Sequence, residues 1–280
     1  MATLGNAVCG FAAIYIASLE GGRDPWTQFF AAHRFVVAAY LIFIAMIFDA
    51  VDGRLARFTR HTTDFGGQLD SMADVISFGV APAILMLHIA RQLSGANYFP
   101  ALPFSVTRAI WAAGAVYVSC AAVRLARFNV SNQHGEQHHF SFLGLPSPGA
   151  GGTVAAMVLM CIAVGTEAGE HIVAAPAGGM MFDTIGNLLW NIHIGILCAI
   201  PVVTLVVGLL MVSTIRYPHL VNRYLKGKKS VGRLVAIMIL CGATLAFHQY
   251  AIGIAMIAYT LWGLIGWAMS RSRRFSAPAA

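Results

Sequence analysis

The chain has 280 residues, of which 58% are hydrophobic and 10% charged. Soluble domains carry about 25% charged residues, so this deficit, with a mean hydropathy of +0.73, excludes an ordinary soluble domain and places the chain among membrane proteins. The formal net charge of +7 calls for no nucleic-acid partner, because in a membrane protein such a surplus collects in cytoplasmic loops.

A spanning helix needs about 20 mostly apolar residues, and eight stretches qualify as candidates, near 4–19, 33–57, 64–90, 107–128, 147–166, 189–214, 231–247 and 250–270. The first is short. The last two come from one long apolar run, with His248 and Gln249 marking the turn. This predicts an all-α polytopic membrane bundle without a polar linker long enough to separate domains. With the N-terminus inside, the inner loops at 54–63, 124–146, 215–233 and 271–280 hold 14 of the 18 Lys and Arg residues. That bias predicts N-in, C-in topology. The basic segment at 215–233 reads as a topology anchor lying on anionic lipid.

Cys9, Cys120, Cys161, Cys198 and Cys241 all fall in apolar stretches without a C-x-x-C pair. They read as buried thiols rather than disulfides or metal ligands. No signal peptide is apparent, since the start lacks a basic region and a small-residue cleavage site.

Four carboxylates stand out against this apolar background. Asp49, Asp52, Asp70 and Asp74 lie within or at the edge of the second and third spans. Each costs about 2.5–3.5 kcal/mol at a helix centre. The nearby bases are only Arg54, Arg57 and Arg60, so divalent cations compensate the acids better than ion pairs do. Asp49 and Asp52 share a helix face at i, i+3, and Asp70 and Asp74 share one at i, i+4. Residues 58–63 form a short connection, which predicts antiparallel neighbouring helices with the two pairs facing each other near the cytoplasmic end. An all-carboxylate donor set suits Mg²⁺ or Mn²⁺, and four acids have room for two ions. Gly53 and Ala56 lie on the face of Asp49 and Asp52. A pyrophosphate can approach the backbone at Gly53 and be gripped by Arg57. Gly66, Asp70, Asp74 and Ser77 make a second stripe, where glycine serves either a ligand or close helix packing.

The stretch from Asp49 to Asp74 reads D-x-x-D-G-x-x-A-R, eight residues, then G-x-x-x-D-x-x-x-D. This resembles the signature of the CDP-alcohol phosphatidyltransferases. Within that family the flanking words DFGGQLDSMADVISFGVAPA, RLARFNV at 124–130, GLPSP at 144–148, VSTIRYP at 212–218 and TLGN near the start most resemble the membrane-embedded phosphatidylserine synthases. The resemblance implies a six-helix core over residues 1–214, followed by the basic loop 215–233 and two additional helices with a basic tail over 234–280. It implies that Asp49, Asp52, Asp70 and Asp74 bind two metal ions, and that Asp52, Gly53, Ala56, Arg57 and Gly66 cradle the CDP part of CDP-diacylglycerol. It also implies that Asp74 is the general base for the hydroxyl of L-serine. CMP would leave, with the product staying in a bacterial-type cell membrane. Small residues in the spans permit a homodimer, as in the family. The chain departs from the family pattern in lacking an amphipathic helix before the first span, and in continuing GLPSP as GAGG.

The carboxylate of serine needs a cation. Arg124 and Arg127, followed by Asn129, are the candidates for binding it or the lipid phosphate, with topology anchoring as the alternative for the two arginines. The run HGEQHHF at 134–140 has zinc-like spacing but reads as a solvated loop, and His88 and His193 read as packed, hydrogen-bonded residues. Met157, Met160, Met180 and Met181 read as core or lipid-facing filler. Other acceptors, namely glycerol 3-phosphate or an inositol phosphate, and an archaeal-type CDP-lipid, remain open as sibling reactions. A cation transporter is the alternative of a different class, although the acids cluster at one end beside a basic loop rather than at the midplane.

Overall fold

A computed structural model describes residues 2–21, 24–59, 64–93, 102–133, 142–174, 180–217 and 248–275. The helices are α1 (Ala2–Ala17), α2 (Pro25–Ala32), α3 (Arg34–Thr59), α4 (Asp64–Asp74), α5 (Ala81–Ala90), α6 (Phe104–Gln133), α7 (Ser147–Ala174), α8 (Met180–Val212) and α9 (His248–Phe275). The only described extended pairing is a two-residue antiparallel clip, β1 (Phe142–Leu143) with β2 (Arg216–Tyr217). The chain is an all-α membrane bundle, and five helical segments are long and apolar enough to cross a membrane: 34–53, 65–93, 104–130, 147–169 and 184–212. α1 is a shorter apolar helix. The expected span at 231–247 and most of the basic loop lie outside the described residues, as does the His134–His139 run.

α1 begins the site because its small and polar residues form one stripe. Thr3, Asn6, Gly10, Ala13 and Ala17 are buried, a spacing that follows the helical period. This stripe lets α1 lie against α3 and the segment after α4, while Val8, Phe11 and Tyr15 face outward. Exposed apolar residues suit a helix surrounded by lipid rather than water. Sequence reading missed α2, which starts on Pro25 and is capped by Asp24. The Asp24 carboxylate accepts the Thr27 amide at 3.0 Å, and this bond with that of the Thr27 hydroxyl holds its carboxyl below the usual range.

The third span is not one uniform helix. Between α4 and α5 it widens into a π-helical turn, Val75–Val80, starting directly after Asp74. Pro82 supplies the cause. Proline has no amide hydrogen for the carbonyl four residues back and its ring pushes against that carbonyl. Here the carbonyl is that of Phe78, and it accepts the buried Tyr117 hydroxyl at 2.7 Å instead. The π turn therefore locks the third span to α6 one turn beyond the acids. Such turns are frequent at functional sites.

The core runs through Ile42, Phe78, Leu85, Met86, Tyr117, Leu159 and Leu197, with α7 packed between α3, α8 and α9. Gly144 starts the return into α7 with φ +82°, a conformation that favours glycine. Its amide bonds Ile215 O at 2.8 Å, and that of Leu145 bonds Leu210 O at 3.1 Å. These bonds and the β clip tie the start of α7 to the end of α8, and so fix Ser147 at the end of the bundle that carries the acids.

Candidate active site

Three of the four predicted acids meet. Asp49 from α3 and Asp70 and Asp74 from α4 each place a carboxylate oxygen within 4.8 Å of the others. At that separation two ionised carboxylates repel by about 3 kcal/mol at an effective dielectric of 20, so the triad calls for a compensating positive charge. Asp74 is the most buried, at 8% exposure. Asp52 stands beside the group rather than in it. It interacts electrostatically with Asp49 and Asp70, while its carboxylate accepts the Thr3 hydroxyl of α1.

α1 is thus the wall of the site that motif reading overlooked. Asn6, fully buried, donates from Nδ2 to Asp74 Oδ1 at 2.9 Å. Its own backbone carbonyl accepts the Ser77 hydroxyl at 2.9 Å, which pins α1 to the π turn. The Asn6 Oδ1 atom is buried without a hydrogen-bond partner among the described residues. The signal for Thr3 and Asn6 was present in TLGN, two polar side chains one turn apart on an otherwise apolar helix.

α6 supplies the cation. Arg124 is half-buried, donates from Nη1 to the buried Ser147 hydroxyl at the start of α7, and interacts electrostatically with Asp74 and Asp49. Its Nε is buried without a partner among the described residues. Ser147, inside GLPSP, is a second residue whose placement the sequence did not reveal. Arg127, three residues beyond Arg124, is exposed. Asn129 faces α4, where its Oδ1 accepts the Ser71 hydroxyl at 3.0 Å.

The glycines separate into two kinds. A methyl group at Gly10 would stand 2.8 Å from Ser77 Cα, so Gly10 permits close helix packing. A methyl at Gly53 or Gly67 would meet nothing within 4 Å among the described residues. Gly53 is exposed next to Asp52, and Gly66 is half-buried on α4. The side chains of Ala56 and Arg57 lie outside the described residues. On α3, the helix that carries Asp49, Phe43, Met46, Ile47, Ala50 and Val51 line an open apolar groove of about 430 Å³. His88 bonds Ser18 through Nε2 at 3.2 Å, and His193 bonds the Cys161 carbonyl through Nδ1 at 2.8 Å. Both are remote from the triad in sequence and element.

The donor set fits a divalent ion. Oxygen ligands of one small octahedral cation lie about 3–4 Å apart, a spacing that carboxylates within 4.8 Å of one another reach by small rotations. A polytopic membrane bundle thus carries an acidic triad beside a half-buried arginine. The family profile of the CDP-alcohol phosphatidyltransferases matches residues 1–182. The chain is 30% identical over 237 residues to a CDP-diacylglycerol–serine O-phosphatidyltransferase of Helicobacter pylori, covering 85% of this chain and 82% of that one. It is 30% identical over 225 residues to the protein of the same name from Methanocaldococcus jannaschii, covering 80% and 81%. It is 38% identical over 156 residues to an archaetidylserine synthase of Methanothermobacter thermautotrophicus, covering 55% and 54%. The chain belongs to the CDP-alcohol phosphatidyltransferase family.

Proposed function

We propose that this protein transfers the phosphatidyl group of CDP-diacylglycerol to the hydroxyl of L-serine, releasing CMP and leaving phosphatidylserine in the membrane. The observation that carries the reading is the convergence of Asp49, Asp70 and Asp74 beside the half-buried Arg124, in a chain whose relatives bear that activity in their names.

Asp49, Asp70 and Asp74, with Asp52 at their edge, would hold two Mg²⁺ or Mn²⁺ ions. When bound, such ions neutralise the pyrophosphate and stabilise the charge that builds on the departing CMP. The chain's own residues do the rest. Gly53, where an added methyl group would meet nothing within 4 Å among the described residues, would bind the CDP part together with Asp52, Ala56, Arg57 and Gly66. The apolar groove on α3 would receive an acyl chain. Arg124, half-buried near Asp74 and Asp49, would bind the serine carboxylate, and Asn129 restrains α4 through Ser71. Arg127, exposed on α6, serves the lipid surface. Asp74, with one oxygen fixed by Asn6, accepts the proton of the serine hydroxyl. The serine oxygen forms a bond to the lipid-side phosphorus as the bond from that phosphorus to the CMP oxygen breaks.

The site would lie at the cytoplasmic face, with both termini inside, because 14 of the 18 basic residues fall in the four segments that the topology reading places on that side. The test is radiolabelled serine with CDP-diacylglycerol in detergent, with and without Mn²⁺ or Mg²⁺. Label should enter lipid in equal amount to the CMP released, and only with metal. CMP release that ignores serine but responds to glycerol 3-phosphate or an inositol phosphate would reassign the acceptor.

A further inference from the structure

Arg124 stands level with Asp74, and two hydrogen bonds between helices fix that register. Two turns before Arg124 on α6, the Tyr117 hydroxyl donates to Phe78 O at 2.7 Å. Five residues after it, Asn129 accepts the Ser71 hydroxyl at 3.0 Å. On the third span Asp74 lies between Ser71 and Phe78, so the same two bonds bracket both the acid and the arginine. The seven-residue step from Tyr117 also returns Arg124 to nearly the same face of α6, the face that meets the third span.

A guanidinium level with three clustered carboxylates is drawn onto them, because unlike charges a few ångströms apart attract strongly in a partly buried site. The structure holds it elsewhere. Arg124 Nη1 donates to the Ser147 hydroxyl, while its buried Nε bonds nothing among the described residues. Ser147 is a fixed partner. It has no exposed surface and stands between Pro146 and Pro148, whose rings restrain the backbone on either side. Pro146 O accepts the Ala150 amide at 2.9 Å in the first turn of α7, and the Gly144 and Leu145 amides anchor the preceding residues to Ile215 O and Leu210 O. A hydroxyl is also neutral, so it holds one edge of the guanidinium without cancelling the charge, as a carboxylate would.

We infer that Ser147 is a positioning residue that tethers Arg124 and keeps its guanidinium from closing on Asp49, Asp70 and Asp74. The tether leaves the acids to a divalent cation and the arginine's charge to an anionic group of the substrate. The inference rests on the reading of the triad as a metal site.

Mn²⁺ binding to the full-length protein in detergent, followed by electron paramagnetic resonance without substrates, tests it. Ser147→Ala removes the hydroxyl. The freed guanidinium then competes with the ion, and Mn²⁺ affinity should fall about tenfold or more, the equivalent of one hydrogen bond to a charged group. In an Arg124→Gln background the competitor is gone, and adding Ser147→Ala should change Mn²⁺ affinity by less than about twofold, which makes the coupling between the two positions the readout. Ser147→Cys keeps the size and offers only a weak sulfur acceptor. It should weaken Mn²⁺ binding in the same Arg124-dependent way, and it carries the test if Ser147→Ala does not fold. An unchanged Mn²⁺ affinity in the Ser147 variants, or an equal loss with and without Arg124, overturns the tether; the second result would mark Ser147 as a purely structural residue. A wild type that binds no Mn²⁺ would instead remove the metal reading itself, and the inference with it.

Discussion

Replacing Asn6 with leucine separates catalysis from stability. The side chain is fully buried on α1 and donates to Asp74 Oδ1 at 2.9 Å, while its own Oδ1 has no partner among the described residues. A hydrogen bond to a charged group contributes about 1.5–3 kcal/mol, and a buried unsatisfied oxygen costs about 1–3 kcal/mol. Leucine removes both, so the two effects on folding nearly cancel. The bond between Ser77 and the Asn6 carbonyl survives, because it uses the backbone. Asp74, however, loses the group that fixes its orientation. If that alignment is made in the transition state, the same 1.5–3 kcal/mol lowers kcat by about 10- to 150-fold. The assay is CMP release at saturating substrates and metal, with thermal unfolding of the same detergent-purified protein and Mn²⁺ binding followed by electron paramagnetic resonance. The expected result is a large fall in kcat, a melting temperature within a few degrees of wild type, and weaker Mn²⁺ binding. Wild-type kcat, or a loss matched by an equal loss of folded protein, would refute the assignment of Asn6 to the positioning of Asp74.

Asp74→Asn should abolish turnover while retaining binding of CDP-diacylglycerol, measured by equilibrium binding of labelled lipid; an active variant removes the general-base role. Gly10→Ala should destabilise by about 1–3 kcal/mol through overpacking, because the new methyl group would stand 2.8 Å from Ser77 Cα. It should also weaken Mn²⁺ binding by moving Thr3 and Asn6 away from the acids, and unfolding and metal titrations together read both effects. Arg124→Ala should raise the serine KM by 10-fold or more, about 1.4 kcal/mol or above, and much more than it raises that for CDP-diacylglycerol. Chelation of divalent cations should stop CMP release, with recovery on adding Mg²⁺ or Mn²⁺; full activity in a thoroughly chelated sample contradicts the metal assignment.

The sequence by itself determined the membrane class, most of the helices and the four aspartates, because each leaves a local mark. A run of apolar residues must be helical in lipid to satisfy its backbone. An aspartate inside such a run signals a compensating partner, and the i, i+3 and i, i+4 spacings put each pair on one face. Tertiary structure decided what crosses between helices. It drew Asp49, Asp70 and Asp74 together while turning Asp52 toward Thr3. It brought Asn6 from the first helix onto Asp74, 68 positions away. It separated Arg124, held at Ser147, from the exposed Arg127 only three residues on. The π turn after Asp74 depends on both: Pro82 announces a disturbed carbonyl, but only the arrival of Tyr117 from α6 shows how that carbonyl is satisfied. Spacing along one helix constrains faces and periods, whereas the partner on that face is chosen by packing among all the helices at once.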